Sequence, residues 1–306
     1  MTSTVVGLAA LAGGIALVIW AADMLVDGLL GVGRALGIAP FVLTVVLSGF
    51  ETENLVAGIA ANTRGLPGAA AGTFLGGMTF LAFGAAGLGG VIAPMRVELP
   101  PRFALWVAVS PLPLLALAVG GELSRVEGAV LVGWWVICLV GLAVSGRDLL
   151  ADESAERVRR PGVRLLAGLG VLTGGGWLLG EGLRSTVHHL GISQTLLGNT
   201  AVAASVEAEE VARIAVPSRR GRPELGLGTI GGTIVHFAAL NAGVIALVKP
   251  LDLGHDTTSF YLPVAAASPA ILAGMLLARK RLGRVEGSAL IALYVAYLAA
   301  AISISS

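Results

Sequence analysis

Two stretches decide the fold: Ser48-Gly49-Phe50-Glu51-Thr52-Glu53-Asn54 and Ser205-Val206-Glu207-Ala208-Glu209-Glu210, each a knot of carboxylates inside a long apolar run. They superpose when the second is moved back by 156 residues. An ionised carboxylate inside a bilayer is costly and is rarely kept there without a cation or proton to bind. The duplication therefore predicts two corresponding halves that share an ion site.

Composition leads to the membrane independently. Apolar residues make up 56% of the 306 and charged residues only 13%, and the uncharged runs are too long for a soluble domain of this size to bury. The formal net charge of +1, with no basic arm, excludes a nucleic-acid partner. The expected partners are membrane lipid and metal cations, and oligomeric state is left open. The single cysteine, Cys138, lies in an apolar run and reads as a small packing residue.

At about 20 residues per span, helices are predicted near 4–27, 36–62, 68–92, 103–120, 125–145, 163–187, 192–216, 223–248, 260–279 and 284–303. This is an all-α integral membrane fold of ten transmembrane helices. The polar stretch Arg147 to Arg160 divides them into a first five-helix repeat (1–146), a cytoplasmic linker (147–162) and a second repeat (163–306). The first span carries Asp23 and Asp27 and lacks a cleavage site, so it is expected to be retained rather than removed as a signal peptide.

Of the 20 Lys and Arg residues, 16 fall after the odd-numbered helices, Arg213, Arg219, Arg220 and Arg222 among them. Positive residues stay cytoplasmic, which predicts both termini on the non-cytoplasmic side. An odd number of spans per half makes the two halves enter the membrane in opposite senses, an inverted repeat.

The repeat extends beyond the glutamates. Thr44 falls on Thr200, Glu51 on Glu207, Glu53 on Glu209, Asn54 on Glu210, Arg64-Gly65 on Arg220-Gly221 and Pro67 on Pro223. Gly72-Thr73 and Gly76 likewise fall on Gly228-Thr229 and Gly232, at a spacing that lets helix backbones approach closely in lipid. Upstream, Leu36-Gly37-Ile38 matches Leu190-Gly191-Ile192 at an offset of 154, so the first copy lacks two residues before its glutamates.

Leu-Gly-Ile, an apolar stretch ending in an acidic cluster, Arg-Gly-x-Pro and Gly-x-x-x-Gly together resemble the alpha-repeat of the calcium/cation antiporter superfamily. The second copy, Arg222-Pro223-Glu224-Leu225-Gly226-Leu227-Gly228-Thr229-Ile230-Gly231-Gly232, is the nearer match. The resemblance implies ten helices in which the second, third, seventh and eighth surround a mid-membrane cation site, while the first and sixth slide to alternate access. It implies no enzyme and no cofactor, only a transported cation and a coupling proton or sodium ion.

The departures bear on mechanism. The resemblance would place a glutamate at Asn54 and Glu210, or at Glu53 and Glu209 in the proton-coupled branch. It would place a serine at Gly77 and Thr233, and a further polar residue at Leu81 and Phe237. A standard sodium-binding set is thus mostly absent. On a helix Glu51 and Asn54 lie about 60° apart, as do Glu207 and Glu210. These four are the expected central metal ligands, with Glu53 and Glu209 supplementing them or facing a proton path. Hard oxygen ligands of this kind suit calcium or another divalent cation.

Plainer readings stand beside these. The glutamates could be hydrogen-bonded structural acids, His236 a packed neutral ring rather than a proton relay, and Asp23, Asp27 and Glu181 liners of an access route. A non-transporting membrane scaffold or enzyme that kept the fold is the runner-up from another class, the enzyme disfavoured because no His-Glu-x-x-His, Gly-x-Ser-x-Gly or P-loop is present, and a drug/metabolite carrier would not require acidic clusters at both repeat centres. The expected activity is secondary antiport of a divalent cation, calcium first, against protons, with sodium coupling as the alternative.

Overall fold

A computed structural model describes residues 2–48, 52–96, 99–146, 158–188 and 208–305. The chain runs through α1 (Thr2–Leu36), α2 (Pro40–Leu47), α3 (Thr52–Thr63), α4 (Pro67–Ile92), β1 (Met95–Arg96), α5 (Pro101–Val109), α6 (Leu112–Ala118), β2 (Glu122–Leu123) and α7 (Arg125–Gly146). It continues through α8 (Pro161–His188), α9 (Ala208–Arg219), α10 (Pro223–Val248), β3 (Leu251–Asp252), α11 (Leu262–Arg279), β4 (Arg281–Leu282) and α12 (Arg284–Ser305). Among the described residues, seven helical stretches are long and apolar enough to cross a membrane.

The boundaries differ from the sequence expectation where charge or proline intervenes. α1 runs to Leu36 rather than ending near residue 27, because Asp27 is neutralised by Arg164 and Arg220 and does not force an exit to water. Gly37, at φ 65°, then turns the chain. Pro40 opens α2 at a position where its missing N–H is harmless. The expected fourth span is broken into α5 and α6 at Ser110-Pro111, since a proline inside a helix removes a hydrogen bond. The expected seventh span is described only from Ala208, as α9.

Element bounds recur along the chain. α3 and α9 end 156 residues apart, at Thr63 and Arg219, and two wide, π-helical turns, Phe80–Ala85 within α4 and His236–Asn241 within α10, correspond at the same offset. The contacts are exchanged between corresponding positions. β1 pairs antiparallel with β4, Met95 opposite Leu282, and β2 pairs with β3, Leu123 opposite Leu251. Ile245 of α10 fills the space over Gly58 of α3, and Ile214 of α9 fills that over Gly89 of α4, where 58 corresponds to 214 and 89 to 245.

α4 and α10 form the centre: 78% and 83% of their apolar stretches are buried, against 22% and 17% for α7 and α12. Phe41, Phe74, Met78, Leu81, Phe103 and Phe237 supply the bulk of this core, and Cys138 is fully buried beside them as a packing residue. α1 and α8 pack along each other as a separate layer, with Val18, Ala21, Leu25, Leu165 and Leu172 between them. No hydrophobic drive separates helices from lipid, so such pairing depends on close van der Waals fit. Gly28 supplies it here, its Cα so near Leu165 that a methyl group would not fit.

Candidate cation site

The second acidic cluster opens α9. Glu209 and Glu210 lie at the start of its described part. Arg213 lies one turn on, at the i+4 and i+3 positions that share their face. Its Nη2 is 3.0 Å from Glu209 Oε1 and its Nη1 2.6 Å from Glu210 Oε1. All three side chains are buried, with exposures of 7% for Glu209, 0% for Glu210 and 6% for Arg213. Glu210 Oε2 is buried with no hydrogen-bond partner among the described residues.

This corrects one part of the topology count. Arg213, expected in a cytoplasmic loop, is inside α9 and joins two buried carboxylates. Its spacing of three and four residues from the glutamates is the signal that was there to be read. Removing one partner from such a buried charged group costs about 3–5 kcal/mol, because the remaining charge loses its compensation.

One neighbour touches the cluster directly, and two more tie the helices beside it. Gly176 of α8 lies so near that a Cβ there would stand 2.5 Å from Glu209 Oε2, which brings the α1–α8 layer up to the carboxylate. Gly232 of α10 lets that helix approach the end of α2, where a side chain would collide with Ser48 and with the Val45 carbonyl. Thr233 Oγ1 then donates to the Ser48 carbonyl at 3.2 Å, tying α10 to α2. Between these elements a small cavity is lined by Leu25, Leu29, Thr44, Leu47, Ser48, Leu169, Arg213 and Thr229. Its three hydroxyls all donate to carbonyls of their own helices: Thr44 to Pro40 at 2.9 Å, Ser48 to Val45 at 2.9 Å and Thr229 to Leu225 at 3.1 Å. With their protons committed, they present only lone pairs to the cavity.

The other predicted residues divide as follows. Asn54 is half-buried on α3. Glu51 and Glu207 lie outside the described residues, as do the side chains of Glu53 and Glu181, so the expected approach of Glu51 to Glu207 falls there too. Phe237 packs its ring on Gly77, 2.5 Å from where a Cβ would stand. His236 is buried, its Nδ1 2.7 Å from the Gly232 carbonyl and its ring edge-on to Trp135. A carbonyl only accepts, so Nδ1 carries the proton, an arrangement that suits a packed ring.

Asp23 and Asp27 sit apart from this cluster. Asp27 bonds Arg164 Nη1 at 2.5 Å and Arg220 Nη2 at 2.6 Å, and Arg220 Nη1 also donates to the Asp23 carbonyl at 3.1 Å. The result is a clasp joining α1, α8 and the turn between α9 and α10. Sequence reading treated Arg220 as a topology signal and a repeat residue and missed the clasp.

Comparison with known proteins bears on the fold and the family. A relative from Alkalimonas amylolytica, named "Putative antiporter CaxA", is 29% identical over 303 residues, covering 93% of this chain and 95% of its own. The inner membrane protein YrbG of Escherichia coli strain K12 is 25% identical over 262 residues, covering 78% and 79%. A structure of the sodium-calcium exchanger NCX_Mj shares the fold, with a TM-score of 0.80 at 20% identity over 97% of this chain and 98% of that one. A family model described as sodium/calcium exchanger protein matches twice, over residues 6–144 and 162–303. The chain belongs to the sodium/calcium exchanger protein family, within the calcium/cation antiporter superfamily.

Proposed function

We propose that this protein is a secondary active antiporter that exchanges a divalent cation, calcium first, for protons. The carrying observation is the buried cluster of Glu209, Glu210 and Arg213, in which the guanidinium bonds both carboxylates and Glu210 Oε2 has no hydrogen-bond partner among the described residues. Buried charge is tolerated only when compensated, so a cation or proton completes this cluster in turn. Calcium accepts an irregular set of carboxylate, amide and hydroxyl oxygens, which fits Glu51, Glu53, Asn54, Glu207, Glu209 and Glu210 as the ligand set.

The architecture proposed with it is ten spans in two inverted five-helix repeats, 1–146 and 163–306, joined by a cytoplasmic linker, with both termini on the opposite side. The reciprocal strand pairing, the exchanged Gly58–Ile245 and Gly89–Ile214 contacts and the two-part family match support this reading. Movement of the α1–α8 layer past the site alternates access. Gly176 against Glu209 and the Asp27 clasp are two of the places where that layer touches the rest, beside its packing on Leu43, Leu47, Ala212 and Val216.

Proton rather than sodium coupling is favoured by Phe237, whose ring occupies the space over Gly77 where oxygen ligands would stand. Sodium needs a fixed cage of oxygens, whereas a carboxylate takes a proton without one. The second reading, sodium coupling, draws on the hydroxyl-lined cavity of Thr44, Ser48 and Thr229. Flux into proteoliposomes decides between them. Calcium, magnesium, manganese, sodium and potassium are screened under an imposed pH or sodium gradient. Calcium uptake driven by a pH gradient without sodium is expected, and a strict sodium requirement overturns the proton assignment. A scaffold would move nothing.

A further inference from the structure

We propose that Arg213 is a resident counter-cation, its guanidinium holding one positive charge permanently among the site carboxylates so that each turnover needs one fewer mobile charge. The inference rests on the cation-exchange reading above and specifies how that site sets its charge count.

Three observations converge. The two Nη atoms bond different glutamates, at 3.0 and 2.6 Å, so the guanidinium bridges Glu209 and Glu210 much as a metal ion would. The bridge is buried on both sides, in surroundings where a guanidinium's charge is strongly felt. The corresponding positions of the first copy carry neither charge: Asn54 stands where the second copy has Glu210, and Ala57 where it has Arg213. The second copy has therefore gained a carboxylate and a cation together. What distinguishes the halves is a neutral pair, and the glutamates common to both, Glu51 with Glu207 and Glu53 with Glu209, retain their balance.

The cavity explains how such a cation can coexist with transport. Arg213 forms part of its wall, opposite hydroxyls of Thr44, Ser48 and Thr229 that offer only lone pairs. When an incoming ion takes Glu210, the guanidinium has acceptors in this cavity to turn towards. A planar group with five donors suits that exchange of partners, and it cannot give up its charge. A lysine would keep the charge but could not span both carboxylates.

The test uses the full-length protein, with calcium as probe. Calcium binding is measured by titration calorimetry in detergent, and charge moved per calcium is read from reversal potentials in proteoliposomes. Arg213→Gln should tighten calcium binding about tenfold or more, since a buried positive charge near the ligands is gone. It should also raise by one the number of counter-charges per calcium, while Arg213→Lys keeps the wild-type count. Unchanged affinity and unchanged charge count in a folded Arg213→Gln overturn the proposal.

If that variant fails to fold, the pair Glu210→Gln and Glu210→Gln/Arg213→Gln decides. The single substitution leaves a surplus cation and should weaken calcium binding, and the double should regain most of the loss. Absence of any recovery counts against the proposal. A wild-type protein that exchanges ions beside a silent arginine removes only this inference. One that neither binds nor moves any of the five cations removes the exchange reading and this inference with it.

Discussion

The ring of Phe237 lies on the Cα of Gly77, filling a space that a methyl group on residue 77 would have to share at 2.5 Å. The two residues come from corresponding helices, α4 and α10, at the points where the family resemblance would put oxygen ligands. The contact should decide the coupling ion. Gly77→Ser with Phe237→Asn should add sodium-stimulated calcium uptake that the wild type lacks. Gly77→Ala alone should only overpack the contact, lowering stability by about 1–3 kcal/mol. Thermal unfolding and flux at fixed pH with and without sodium measure both. No sodium stimulation in the double variant would show that the ring is not what excludes it.

Glu210→Gln should abolish metal-dependent exchange while the protein still elutes as a folded species. A glutamine keeps the shape of the side chain but removes the charge that offsets the dehydration of a divalent ion. Full transport in this variant would take Glu210 out of the ligand set.

Proton and metal competition for the same oxygens gives a pH sign. Calcium affinity should fall as pH drops, because protonated carboxylates do not bind metal. Affinity that stays flat as pH is lowered from about 7 to about 4, through the ordinary carboxylate range, would contradict shared ligands. Calorimetric titration across that range measures it.

Asp27→Asn should alter how fast the α1–α8 layer moves, not how well the site binds. Its bonds to Arg164 and Arg220 are partly exposed, so each is worth at most about 1 kcal/mol in stability. The expected outcome is a changed maximal exchange rate with calcium affinity altered less than about twofold. A variant that loses affinity and keeps its rate would place Asp27 in the binding path.

Ser124→Ala separates fold from function. Ser124 and Glu127 close the start of α7 reciprocally, the Ser124 N–H donating to Glu127 Oε2 at 2.7 Å and the Glu127 N–H to Ser124 Oγ at 3.3 Å. Losing the cap should cost about 0.5–2 kcal/mol of stability and leave exchange rates as they were, as thermal unfolding and flux would report.

The helices of the core and their order were legible because burial in lipid demands long apolar runs, and the 156-residue offset placed α3 opposite α9 in sequence before any coordinates. A second repeat went unread. Arg125-Val126-Glu127-Gly128 recurs as Arg284-Val285-Glu286-Gly287 at an offset of 159, and in the second copy Gly283 N–H and Arg281 bond Glu286. Its offset is three residues longer than that of the acidic clusters, so it does not line up with them. Glu210 was named as a ligand, yet Arg213 was counted as a loop residue, because a charge count by loop assumes that helices end where charge begins.

The sequence by itself determined that this is a membrane protein of two related halves with carboxylates at corresponding places, since hydropathy and duplication are properties of a linear chain. Tertiary structure alone decided which distant residues meet. That Arg220 clasps Asp27 across 193 residues of chain and that Phe237 covers Gly77 depends on how close packing brings separate elements together, whereas the bridge from Arg213 to Glu209 and Glu210 follows from their spacing along one helix and owes only its burial to the tertiary structure. In a low-dielectric interior such meetings set the energy of every charge, and no pattern along one strand of sequence encodes a distance between two helices.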